Sequence, residues 1–236
     1  MAMPYRRTEN VVRRLAAREQ AILDAATVIA GDGGMAAVQI AAVAERAQIA
    51  AGTVYRYFPS KSDLVAEVIA AVAARELAAM RAAAEAAPGP LSALAAAIAT
   101  FAAHALAARR LIWAVTAEPV EPPLDAARAD FRRSIVAELE TRIKTALDAR
   151  HLPELDAGIA APAIVGALLE GLIGPLAPSP HDEAAAREMI QAATLLALRA
   201  LGVIDARARG LVAQCRLPDL SAALPPAPHP AAASRV

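Results

Sequence analysis

A chain of 236 residues can form one large or two modest domains with a substantial core. Its 57 % hydrophobic content is largely alanine and only 3 % is aromatic, which argues against a β-rich fold and points to all-α. The 24 Lys and Arg are balanced by 24 Asp and Glu, which excludes a strongly basic, nonspecific nucleic-acid binder but leaves room for a local basic patch.

Residues 1–14 read as a flexible basic arm. Within the first 18 residues Arg6, Arg7, Arg13, Arg14 and Arg18 face one acid, Glu9, so the charge asymmetry sits where a DNA-binding arm would be. This charged start lacks the apolar stretch of a secretory signal. A first helix is predicted from Leu15 to Ala30, with Leu15, Ile22, Ala26 and Ile29 on one face and Gly31-Asp32-Gly33-Gly34 ending it. A short helix over Gln39–Arg46 follows, then a tight connection, then a second short helix over Ala51–Tyr57 stopped by Pro59. Ser60 reads as the N-cap of a long helix reaching Ala87, with Asp63 in place of the usual capping-box Glu. Pro88-Gly89-Pro90 breaks the chain.

The next helix carries Leu91, Leu94, Ile98, Phe101 and Ala105 on one face. A shorter segment over Leu111–Ala117 ends at Pro119, and a further helix aligns Phe131, Ile135, Leu139 and Ile143. The last two helices are read at Leu155–Leu176 and Asp182–Val203. The apolar run Ile159–Ala177 approaches membrane length, but Pro162, Glu170 and Pro175 interrupt it, so a buried or interface helix is expected and no membrane. The Pro/Ala-rich segment 206–236 is read as a tail, disordered from Pro218 onward. Cys215 is the one cysteine; it permits no intramolecular disulfide, suggests no metal site and fits a reducing cytoplasm.

Two short helices joined by a tight turn after a longer helix are the geometry that places a second helix in the DNA major groove. The string Val43-Ala44-Glu45-Arg46-Ala47-Gln48-Ile49-Ala50-Ala51-Gly52-Thr53-Val54-Tyr55-Arg56-Tyr57-Phe58-Pro59-Ser60-Lys61-Ser62-Asp63-Leu64 fills that geometry. Ala44 and Ala47 let the helices approach, and Ile40, Val43, Ile49 and Val54 form the small core that fixes their crossing. Gly52 lets a phosphate or base edge come close to the backbone. Thr53 offers a hydroxyl and a methyl, Tyr55 and Tyr57 hydroxyls, and Arg56 a guanidinium for phosphate or guanine. Phe58 plugs the following helix, and Lys61 adds a cation where free N–H groups attract phosphate.

This string resembles that of tetracycline-repressor-like (TetR/AcrR-like) transcriptional regulators, firmly over about residues 15–70. It departs from the family pattern at Val38, where Thr usually caps the second helix, at Gln48, where the turn usually has Gly, and at Ala50, where Ser usually caps the recognition helix; Gln39 can compensate for Val38 by partial capping or a phosphate contact. The resemblance implies an all-α protein with a three-helix helix-turn-helix DNA-binding domain at 15–64 and a helical effector-binding and dimerisation domain at 65–205. The function it implies is that of a ligand-responsive homodimeric regulator, a repressor released from a palindromic operator by a small hydrophobic or aromatic effector. DNA contacts are expected from Arg6, Arg7, Arg13, Gln39, Ala50, Ala51, Gly52, Thr53, Tyr55, Arg56, Tyr57 and Lys61.

The resemblance also implies a dimer formed by the last two long helices. Gly166, Gly171 and Gly174 give close approach, and Leu168, Leu169, Leu172, Met189, Ala193 and Leu196 supply apolar surface. Candidates to line an effector pocket are Phe101, His104, Trp113, Glu118 and Phe131. No cofactor, metal or catalytic residue is expected: the four histidines form no metal-like pair, and no nucleophile motif or phosphate-binding glycine loop is present. Two alternatives stay open, a DNA-binding structural protein of the same fold without an effector and a helical enzyme.

Overall fold

The computed structural model describes residues 5–118 and 122–217, and every regular element among them is helical. They are α1 (Tyr5–Gly33), a single 3-10 turn (Met35–Ala37), α2 (Ile40–Arg46), α3 (Ala51–Tyr57), α4 (Lys61–Glu85), α5 (Pro90–Ala107), α6 (Arg109–Thr116), α7 (Pro122–Asp148), α8 (Ala157–Leu172), α9 (Glu183–Ala200) and α10 (Asp205–Gln214). The chain divides into two compact units. One holds α1 to α3, α4 through Ala78, α6, and α7 through Glu138; the other holds the remainder.

In the first unit α1 packs against the 3-10 turn, α2 and α6. Ile22, Ala26, Val38, Val43, Val54, Leu64 and Ile112 are wholly buried there, so the small helices are held by apolar surface rather than by their own marginal helicity. Ser60 caps α4 as expected: its Oγ accepts the Asp63 N–H at 3.1 Å. The reciprocal bond runs from the Ser60 hydroxyl to the Asp63 carboxylate at 2.8 Å, because the shorter acid turns to the side chain rather than to the backbone.

In the second unit α5 lies against α8, α9 and α10. It starts with Pro90 in its first turn, where the missing N–H has no intrahelical partner to lose. Leu94, Ile98, Phe101 and Ala105 on its inner face are buried. By length and composition α5 is long and apolar enough to cross a membrane, but most of that stretch is interior to the unit. Asp156 and Asp182 cap α8 and α9, accepting the Gly158 and Ala185 N–H groups at 2.8 and 2.7 Å.

Two elements differ from the sequence reading. Helix α1 starts at Tyr5 rather than Leu15, since no breaker lies between Pro4 and the glycines that end it. Helix α10 occupies 205–214, inside the segment read as a tail. It buries only Ala208 and Val212, too sparse an apolar pattern to announce a helix. Residues 218–236, read as disordered, lie outside the described residues.

Helix α10 is tied to α9 through Asp205, which accepts from Arg209 Nε and Arg199 Nε, both at 2.8 Å. These two guanidiniums, Arg209 first, hold the Asp205 carboxyl below the usual carboxylate range. The link therefore operates above the unfolded-state pKa and is lost as pH falls through the lowered folded value. Gly202, at φ +82, makes the turn between the two helices, and a Cβ there would run into the Pro153 ring. Gly202→Ala is expected to destabilise the protein by about 1–3 kcal/mol from backbone strain plus overlap. Thermal unfolding followed by circular dichroism checks this; an unchanged Tm would mean the turn relaxes freely.

Candidate nucleic-acid interface

The connection between α2 and α3 closes on backbone hydrogen bonds. Ile49 N–H donates to Ala44 C=O at 2.9 Å and Gln48 N–H to Glu45 C=O at 3.1 Å. This pair of bonds is a Schellman closure, which needs a left-handed residue just past the helix end. Gln48 fills that position at φ 53, where a side chain carries strain that glycine would not. Ala50 then starts α3 with no side-chain cap, although Thr53 N–H reaches its carbonyl at 2.8 Å.

Helix α3 buries one residue, Val54, against Val43 and the rest of the first unit's core, and Phe58 plugs its C-terminal end. Its opposite face is open. Ala51, Gly52, Tyr55 and Arg56 are exposed, Tyr55 by 52 %, while Thr53 and Tyr57 are half-buried at the flanks. A Cβ built on Gly52 meets nothing within 4 Å, and its backbone is ordinary helix, so nothing inside the protein requires a glycine there. Lys61 opens α4 beside this face, half-buried.

The other expected contacts are placed as follows. Gln39 is the N-cap residue of α2, but its side chain makes no cap; its amide donates to Ala36 C=O at 2.8 Å, and it stays exposed. Val38 is fully buried and belongs to the core. Arg13 is exposed on α1, bonding Asn10 at 2.8 Å. The side chains of Arg6 and Arg7 lie outside the described residues, although both positions fall within α1.

In the second unit, α8 and α9 enclose an apolar groove of about 340 Å³. Of the residues expected at a dimer interface, Leu168, Gly171, Leu172, Met189, Ala193 and Leu196 line it; Gly166, Leu169 and Gly174 do not. Leu196 is 61 % exposed, whereas Leu168 and Leu172 are buried within the protomer itself. Added Cβ atoms at Gly166 and Gly171 meet nothing, but at Gly174 one would strike Glu170.

The effector-pocket candidates belong to both units. Phe101 and His104 belong to α5 in the second unit, and Trp113, Glu118 and Phe131 to the first. Phe101 and Phe131 are buried, and Trp113 and His104 half-buried. Glu118 accepts the Met35 N–H at 3.2 Å, a structural engagement no local sequence pattern announces. A second groove, between the end of α4, α5 and α10, contains Cys215 but none of these candidates; burial pushes the Cys215 thiol up. Among the described residues no group of His, Cys, Asp and Glu could hold a metal ion.

Residues 22–68 match the model of the bacterial regulatory proteins of the tetR family. Over 48 residues the chain is 60 % identical to the HTH-type transcriptional repressor KstR of Mycolicibacterium smegmatis, a stretch covering 20 % of this chain and 24 % of that protein. The KstR of Rhodococcus jostii is 58 % identical over 48 residues, 20 % of this chain and 23 % of that one. The matched stretch thus spans about a quarter of the length of these curated relatives. The fold extends further. A crystal structure of RolR in complex with resorcinol superposes with a TM-score of 0.63 at 20 % identity, over 89 % of this chain and 100 % of that one. FadR from Bacillus subtilis in complex with stearoyl-CoA gives 0.64 at 16 % identity, over 78 % and 98 %.

Replacing Gln48 by glycine removes left-handed strain at the cost of a looser unfolded chain. Gln48→Gly is expected to leave stability unchanged or raise it by up to about 1 kcal/mol. Urea unfolding measures it; a clear loss would mean that the Gln48 side chain contributes more than the strain costs.

Proposed function

We propose that this chain, whose residues 22–68 match the model of the tetR family, is a cytoplasmic transcriptional repressor that binds operator DNA through α3 as a homodimer. A small hydrophobic or aromatic effector releases it, and it is not an enzyme. The open face of α3 carries this reading: Gly52, Tyr55 and Arg56 are exposed, a Cβ on Gly52 would meet nothing, and their chemistry suits phosphates and base edges. Tyr57 and Lys61 flank that face and supply phosphate contacts, with Gln39, Ala50, Ala51 and Thr53 at its edge. Arg6, Arg7 and Arg13 on the N-terminal half of α1 add backbone charge. Double-stranded operator DNA, a second copy of the chain and an unidentified effector are the partners, with no membrane.

The dimer reading is supported by the α8–α9 groove, an apolar surface with an exposed leucine at its rim. One short helix contacts too few base pairs for useful specificity, and a twofold pair would read half-sites about one helical turn apart or a multiple. The effector class is supported by relatives of the same fold described with resorcinol and with stearoyl-CoA. Footprinting of promoter DNA, with and without aromatic and acyl compounds, tests the whole reading; protection that no compound relieves would favour a structural DNA-binding role.

Two substitutions separate its parts. Gly52→Ala adds a methyl that the fold accommodates and that favours helix by up to about 1 kcal/mol. It should therefore keep or raise Tm while weakening operator binding, measured by fluorescence anisotropy. Equal loss of both would mean the glycine serves the fold. Leu196→Glu places a charge on the exposed rim of the α8–α9 groove and should give folded monomers with little operator affinity. Light scattering decides it, and a variant that stays dimeric would move the interface elsewhere. Leu168→Glu is the poorer probe, because Leu168 is 2 % exposed and its loss would damage the protomer.

A further inference from the structure

The passage from α1 into α2 is gripped by side chains from far along the chain. Helix α1 ends at Gly33, and Gly34 turns the chain with φ +77 before the 3-10 turn begins at Met35. Arg110, at the start of α6, donates from Nη2 to Gly33 C=O at 3.1 Å. Glu118, two residues past the end of α6, accepts Met35 N–H on Oε2 at 3.2 Å. The two side chains pair with each other at 3.7 Å.

Gly34 lies between them. A Cβ at this position would overlap both the Arg110 guanidinium and the Glu118 carboxylate, and its left-handed φ disfavours any side chain. The charges have the signs that the backbone asks for: a cation on a terminal carbonyl of α1 and an anion on the first free N–H of the following turn. The bonded backbone groups, on Gly33 and Met35, lie shortly before α2 begins at Ile40, and α2 in turn is packed on α3.

We propose that Arg110 and Glu118 form a positioning clamp that fixes where the chain enters α2, and that the α2–α3 unit presents its DNA face correctly only when the clamp is closed. This rests on the DNA-binding reading above. Neither residue belongs to α2 or α3; they act through the Gly33–Met35 backbone.

The test compares Glu118→Ala with Glu118→Gln in the full-length chain. Gln retains an acceptor for Met35 N–H but loses the ion pair. Three quantities are read: operator affinity by anisotropy, amide exchange of Met35 and of α2 against α5, and Tm. Glu118→Ala should lower affinity about tenfold, the value of one lost charge-assisted hydrogen bond, and speed Met35 and α2 exchange while α5 is unchanged. Glu118→Gln should recover most of the affinity and the Met35 protection. Arg110→Ala should weaken binding in the same direction. If wild type binds the operator and Glu118→Ala binds equally well, or if exchange accelerates uniformly through α5, the clamp is overturned and the DNA reading stands. If wild type protects no DNA, the DNA reading falls and takes the clamp's function with it, even where Met35 exchange responds.

Discussion

The crossing of α2 over α3 is the contact on which the open face of α3 depends. Each helix has seven residues, too short to persist alone, so their order comes from what they bury. Val43 and Val54 are fully buried at that crossing, with Ala44 thinning the seam and Phe58 sealing its end. Since one face of α3 is fixed there, the opposite face is free to carry Gly52, Tyr55 and Arg56.

Local stability rules are broken around this face. Gln48 occupies a left-handed position, Ala50 leaves α3 without a side-chain cap, and Gly52 sits in a helix that would prefer alanine. The second unit mixes kept and broken rules: Asp156 and Asp182 cap their helices and glycine takes the left-handed turn at 202, but Arg150 is also left-handed, at φ 56, and α10 starts without a side-chain cap. At the α3 face three such departures fall within five residues, as expected where a surface is shaped for a partner and the packed core supplies the stability that it forgoes.

What was legible in the sequence follows the range of the determining forces. The bounds of α3 are readable because Pro59 stops it and the Gln48–Ala50 turn precedes it. The inner faces of α5 and α7 are readable from their spacing, and Phe101, Phe131, Ile135 and Leu139 are buried as that spacing requires. The sequence pattern places the start of α1 at Leu15, ten positions after the observed Tyr5, because Asn10 to Arg14 are exposed in the helix and the arginine-rich stretch before Leu15 reads equally well as a flexible arm. Glu118 reads in the sequence only as a candidate pocket residue, because its engagement with Met35 spans 83 positions and leaves no local trace.

The zero net charge acquires a different meaning once the elements are placed. Residues 1–61 contain eight basic side chains and five acidic ones, so the remainder of a neutral chain carries the compensating negative excess. The exposed α1 stretch holding Arg13, Arg14 and Arg18 and the α3 face holding Arg56 both belong to the first unit. A small local excess of this kind draws the segment that carries α3 toward a polyanion before any base is read. It also keeps the nonspecific term small, because few phosphates are neutralised and the counterion release that drives indiscriminate binding is correspondingly limited. On the proposed DNA-binding reading, discrimination comes from geometry, that is, from how accurately α3 is held.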